Sequence, residues 1–216
     1  MNKFFETRTM THSVVLTLLA ATLSGCAPLI VGGAMMGSGL VITDRRTTGI
    51  QVEDQSIEFK AAARVRELAT LGRVDATSYN RIVLLTGEVP AAADRAAVEK
   101  VVSGVENVRS VVNELTVGDK ASLVARSSDA LLAGKVKATF VDTKDVQANA
   151  YKVVAERGVV YLMGRVSERE AQRGTEIARS VSGVQKVVRV FEILTDAELA
   201  TLGTGAAPAP SAPAPR

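Results

Sequence analysis

The chain repeats itself, and that constrains its fold more than any other feature. Ile82-Val83-Leu84-Leu85-Thr86-Gly87-Glu88-Val89 aligns with Val159-Val160-Tyr161-Leu162-Met163-Gly164-Arg165-Val166 at a constant offset of 77, with Val83, Leu85, Gly87 and Val89 facing identical residues. Further on, Val102-Ser103-Gly104-Val105 matches Val181-Ser182-Gly183-Val184 after a two-residue insertion in the second copy. Two copies of one module are the economical explanation.

Each copy carries the same order of signals. An amphipathic helix comes first, with Ile57, Ala61, Val65 and Leu68 on one face of copy one and Ala125, Leu132, Val136 and Phe140 on one face of copy two. Two strands follow, Arg73 to Tyr79 and Arg81 to Glu88 in copy one, joined by a tight turn at Asn80; Arg157-Gly158 is the counterpart turn. A second helix has Pro90 in its first turn in copy one and a Ser167/Glu170 capping box in copy two. Ser-Gly-Val ends that helix with a C-cap glycine. A valine-rich third strand closes the module, Val108 to Val117 and then Val187 to Leu194. The hairpin plus a right-handed crossover predicts an α+β fold: two tandem αββαβ modules, each a three-stranded mixed sheet with two helices on one face. Each core is marginal at this size, so the modules are expected to pack on each other across the short linker Gly118 to Ala121, with Phe59 a candidate contact between them.

The start of the chain sets its compartment. Lys3 and Arg8 precede an apolar stretch from Val14 to Leu23, the pattern of a cleaved export signal. At about ten residues this stretch falls well short of the roughly 20 that span a bilayer. Leu23-Ser24-Gly25-Cys26 resembles the bacterial lipobox, which implies that Cys26 is diacylated and becomes the mature N-terminus. Ala27 stands where an Asp would favour inner-membrane retention, so the resemblance implies delivery to the outer membrane. Two or three acyl chains, palmitate among them, anchor stably where one does not.

Composition then removes whole classes of chemistry. The only Cys is Cys26 and the only His is His12, inside the signal. A Ser-His-Asp or Cys-His nucleophile is therefore impossible in the mature protein, and no disulfide can form within it. No cofactor is expected. Without Lys3, Arg8 and Glu6 the mature chain keeps 24 basic and 22 acidic residues, a net charge near +2 that is too mild for nucleic acid. There is no Trp, and few Tyr or Phe, to form a stacking platform.

The expected organisation is a signal over 1–25, a lipidated flexible tether over 26–53, a first module over 54–118, a second over 119–195, and a disordered Ala/Pro-rich tail over 196–216. In the tether, Leu29, Ile30, Met35 and Met36 either lie against the lipid surface or are simply unstructured. Gly87 and Gly164 stand in strands, not in a Gly-rich phosphate loop, and read as strand bulges.

This αββαβ pattern, with its apolar-Gly-x-Val strand end and its Ser-Gly-Val before the last strand, resembles the BON domain of bacterial envelope and osmotic-response proteins. Two copies behind a lipobox, with Asp44-Arg45-Arg46-Thr47-Thr48-Gly49-Ile50-Gln51-Val52-Glu53-Asp54 between, resemble the dual BON-domain outer-membrane lipoproteins of the division site. The resemblance implies a non-enzymatic protein that binds anionic phospholipid, phosphatidylglycerol-like, through the first helix of the second module and maintains outer-membrane integrity. On that helix Leu131 lies about 100° from the core stripe of Leu132 and Val136, flanked by Val124, Lys135 and Ala138. This flank either meets lipid, Leu131 inserting while Lys135 meets a phosphate, or packs on the first module. Asp44, Arg45 and Arg46 read either as lipid-phosphate contacts near the anchor or as a tether contact with acids on the folded body. The alternative to lipid binding is a periplasmic scaffold that docks on an envelope protein partner of outer-membrane assembly or division.

Overall fold

A computed structural model describes residues 44–68 and 72–202. The segments expected as export signal and apolar tether, with Cys26, and the Ala/Pro-rich stretch from Gly203 lie outside the described residues. Two αββαβ modules follow in order. The first comprises α1 (Thr48–Glu67), β1 (Arg73–Tyr79), β2 (Ile82–Val89), α2 (Ala92–Ser103), β3 (Ser110–Asn113) and β4 (Thr116–Val117). The second comprises α3 (Leu123–Asp142), a 3-10 turn (Ala148–Ala150), β5 (Tyr151–Glu156), β6 (Val159–Val166), α4 (Glu168–Ser180) and β7 (Lys186–Ile193), after which α5 (Asp196–Leu202) ends the described chain. In each module the hairpin is antiparallel and the crossover strand runs parallel to the central one.

Alternate residues of the central strands face opposite ways. Val83, Leu85 and Val89 pack under α1 and α2 with Ile57, Ala61, Val98 and Val102, and Val160 and Leu162 pack under α3 and α4 with Val136, Phe140 and Ala178. The other set, Leu84 with Tyr79 and Tyr161 with Met163 and Val190, forms a third cluster shared by both modules. The helix-free faces of the two sheets therefore close on each other, with helices outside. β2 and β6 are buried on both faces, which explains their continuous apolar runs where a half-exposed strand would alternate.

Polar pairs line the rim of that junction. Glu88, 0 % exposed, accepts from Arg157 Nε at 2.8 Å and the Ala121 N–H at 3.1 Å. Arg73 bonds Glu156, Asn80 bonds Glu192, and Lys152 donates to Glu58 at 2.8 Å and to the Ser78 carbonyl at 3.1 Å. Burial opposes the charge on Glu88, yet the bonds from Arg157 and Ala121 and the nearby Arg73 outweigh it and hold its carboxyl below the usual range. Phe59 takes no part: at 77 % exposure it faces away from the junction, which is filled by sheet residues instead.

The hairpin turns are Asn80-Arg81 (φ 50° and 66°) and Arg157-Gly158 (φ 50° and 74°), both central residues left-handed as a two-residue turn requires. Gly87 and Gly164 serve close approach: a Cβ on Gly87 would lie 2.1 Å from the Arg73 carbonyl oxygen, and one on Gly164 would lie 2.3 Å from that of Ala150. Gly87 also has φ +114°, which turns β2 and interrupts its ladder with the third strand, expected whole over Val108 to Val117 but split into β3 and β4. β7 runs unbroken beside β6.

The structure corrects the register of the repeat. The left-handed residue after the second helix is Asn107 in copy one and Gly183 in copy two, an offset of 76, and the bonds Val105 N–H to Val102 O and Val108 N–H to Val105 O recur as Val181 to Ala178 and Val184 to Val181 at the same offset. The Val-Ser-Gly-Val identity is thus out of step by three residues, and Gly104 (φ −83°) is no left-handed cap. Three ends also move. Pro90 lies before α2, whose Ala91 N–H bonds Asp94 at 3.1 Å. Thr47 caps α1, its Oγ1 accepting from Ile50 N–H at 3.3 Å, so helix begins inside the segment expected as tether. Thr195 and Glu198 form a capping box that starts α5 inside the segment expected as tail.

Candidate functional site

α3 starts because Ser122 Oγ accepts the Ala125 N–H at 3.1 Å. Its core face is Leu132, Val136 and Phe140, with Asp129 also buried, while Ala125 is half-buried. Phe140 stacks on Tyr151 at 4.9 Å between centroids, which fixes the helix against its sheet. With the core side so defined, the 100° step per residue puts Val124, Leu131 and Ala138 together on the outward side, seven residues apart.

That outward side is bare. Val124 is 76 % exposed and Leu131 68 %, and Leu123 and Val141 at the two ends of the same helix are exposed as well. Lys135 and Ala138 are exposed, and among the described residues Lys135 has no ion-pair partner. The first module does not cover this flank, because the modules meet through their sheets. Gly134 leaves a Cβ-sized opening with nothing within 4 Å, so the helix surface is low and smooth there.

Below α3 the strap preceding α1 is tied to the second module. The Arg45 guanidinium bonds both Glu170 oxygens at 2.7 Å, the Arg165 carbonyl at 2.8 Å and Gln147 Oε1 at 2.8 Å. The bond from Arg45 is the main reason the Glu170 carboxyl lies below its ordinary range. Arg46 instead serves the first module: it bonds Asp44 at 2.7 Å and Asp54 at 2.8 Å, and lies 4.2 Å above the Tyr79 ring. The acids of the folded body therefore take both guanidinium groups.

The sequence reading missed the acid that organises each module. Asp54 accepts the N–H groups of Asn80 and Arg81, both at 2.8 Å, and Asp129 accepts those of Arg157 and Gly158 at 2.8 and 2.9 Å. Burial works against the charge on Asp54, but its bonds from Ser78, Arg81, Arg46 and Asn80 prevail and lower its carboxyl. The signal was present: each Asp stands three residues before the first core residue of its helix, Ile57 or Leu132.

The BON domain model matches residues 53–119 and again 128–195, most of the described chain. The chain belongs to the BON-domain family. Outer membrane lipoprotein DolP of Haemophilus influenzae is 42 % identical to it over 183 residues, 82 % of this chain and 94 % of the relative, which places the chain among dual BON-domain outer-membrane lipoproteins. The 21 kDa hemolysin of Actinobacillus pleuropneumoniae is 32 % identical over 68 % of this chain and 78 % of the relative. Osmotically-inducible protein Y of Escherichia coli is 30 % identical over 63 % and 70 % respectively. The two BON domains carry the turn-clamping Asp, while the strap of Arg45 and Arg46 joins them from outside the matched segments. None of the described helices is long and apolar enough to cross a membrane.

Proposed function

We propose that this BON-domain lipoprotein is non-enzymatic and binds anionic phospholipid of the phosphatidylglycerol type through Val124, Leu131, Lys135 and Ala138 of its second domain, maintaining outer-membrane integrity at the division site. Cys26, diacylated and carrying palmitate, delivers the domain to the bilayer. The observation that carries the reading is the bare flank of α3, with Leu131 and Val124 uncovered beside a Lys135 that has no ion-pair partner among the described residues.

The energetics suit a shallow, reversible contact. Burying one leucine contributes about 1.5–3 kcal/mol, and a lysine near an anionic surface adds about 1 kcal/mol. Neither holds a protein at a membrane alone, but the acyl anchor keeps the flank nearby and makes weak contacts count.

Co-sedimentation of the mature polypeptide with phosphatidylglycerol or phosphatidylcholine vesicles tests this. Leu131→Glu is expected to weaken binding to the anionic vesicles by about tenfold or more. Equal binding by variant and wild type removes α3 from the account, and crosslinking from position 131 to one dominant envelope protein would favour a docking scaffold.

A further inference from the structure

A cleft of ≈ 520 Å³ opens beside the α3 flank, lined by Ser128, Leu132, Lys135, Ser182, Gly183 and Gln185 together with the Arg157-Gly158 turn and Asp129. Its charges are unequal in availability. Both Asp129 oxygens are taken by turn N–H groups, and Arg157 is spent on Glu88 and the Asp119 carbonyl. Lys135 remains, and among the described residues neither Ser182 nor Gln185 makes a side-chain hydrogen bond.

The first domain shows what this corner becomes when it is closed. Lys60 stands six residues after Asp54, as Lys135 stands six after Asp129. Lys60 Nζ is bonded at 2.9 Å to Glu106, the residue just before the left-handed Asn107. In the second domain the residue just before the left-handed Gly183 is Ser182. The equivalent lysine is therefore neutralised by an acid in one domain and shares its cleft with a serine in the other.

From this swap we infer that the Lys135–Ser182 corner is the subsite for the lipid headgroup phosphate, and that Ser182 in place of an acid assigns binding to the second domain. Lys135 supplies the charge, and the Ser182 hydroxyl and Gln185 amide supply donors to phosphate oxygens. The apolar flank beside the cleft marks the occupant as a lipid, with its acyl chains over Val124 and Leu131. The inference rests on the proposed lipid-binding reading and adds to it which residue discriminates between the two domains.

The test measures affinity of the mature protein for mixed phosphatidylglycerol–phosphatidylcholine vesicles. Ser182 is exposed, so its variants leave the fold intact. Ser182→Glu is expected to bind about fivefold more weakly, one headgroup charge interaction lost, while Ser110→Glu, the same charge change at an exposed position on β3 of the first domain, binds like wild type. Glu106→Ser frees Lys60 beside the exposed Phe59 and restores binding in a Leu131→Glu background. Inorganic phosphate is expected to displace the vesicles no more than chloride of equal ionic strength; stronger displacement would show a site for free anion and overturn the lipid assignment. Wild type that binds while Ser182→Glu matches it overturns the subsite alone. Wild type that fails to bind overturns the lipid-binding reading itself.

Discussion

Asp54 and Asp129 hold equivalent positions in the two domains, each carboxylate spanning the two N–H groups of its own hairpin turn at 2.8–2.9 Å. The contact ties the first helix to the far end of the hairpin, so that one side chain fixes how helix and sheet meet. The left-handed turn residues leave their N–H groups pointing together, and an acceptor with two oxygens satisfies both.

Removing that acceptor strands two donors at once. Asp129→Ala is expected to cost about 2–4 kcal/mol, more than a single lost hydrogen bond, because two half-buried donors lose their shared acceptor together. Chemical denaturation measures it, and amide exchange at Arg157 and Gly158 should accelerate selectively. Asp54→Ala should cost at least as much, since it also takes one of two acidic partners from Arg46 and the acceptor from the Ser78 hydroxyl.

The domains fill one core position in opposite ways. Tyr151 lies against Gly174, where a Cβ would come 2.7 Å from the ring, and the equivalent residues of the first domain are Val74 and the fully buried Val98. Gly174→Val alone should destabilise by about 3 kcal/mol through overpacking. Combined with Tyr151→Val it should recover a good part of that loss, a coupling that a double-mutant cycle reads directly.

Acid should loosen the strap and the domain junction together. Glu170, Glu88 and Asp54 have lowered folded-state values, so their stabilisation is complete above the unfolded carboxylate range and is lost as pH falls through the lower folded values. Glu156, raised by burial against its bond to Arg73, works the other way and partly offsets the loss. Thermal stability should hold or rise slightly from pH 7 to the unfolded carboxylate range, where Glu156 takes up its proton, and then fall steadily toward about pH 3. Arg45→Gln should lower stability at neutral pH by about 1–3 kcal/mol and flatten the curve, since Glu170 then titrates near its ordinary value.

Glu88→Ala separates domain coupling from domain folding. It removes the buried carboxylate that Arg157 and Arg73 share, and a loss of about 2–3 kcal/mol is expected, discounted from a fully buried pair because Arg157 is half exposed. Limited proteolysis should then cut the linker at Gly118 to Ala121, where Ala121 N–H loses its acceptor.

Much of this was legible in the sequence for physical reasons that act locally. The left-handed Asn80-Arg81 and Arg157-Gly158 turns and the Ser167/Glu170 box are short-range devices, and each appears where the residues place it. The outward side of α3 followed from helical period alone. The register after the second helix was misread because Val-Ser-Gly-Val is a match of composition, whereas the chain is set by which residue is left-handed and by strand pairing. The stacked sheets were only half visible: unbroken apolar runs at β2 and β6 demand cover on both faces but do not say that each covers the other. Glu88 with Arg157 and Arg45 with Glu170 join residues 69 and 125 apart, beyond any local pattern.

The absence of Trp makes the central claim directly measurable. A Leu131→Trp variant carries a single indole at the proposed insertion point, and brominated phosphatidylglycerol vesicles should quench it and shift its emission to the blue. A Phe59→Trp variant, on the exposed face of the first domain, should stay unquenched under the same conditions. Vesicle-bound protein whose indole at position 131 remains unquenched and water-exposed would contradict the account.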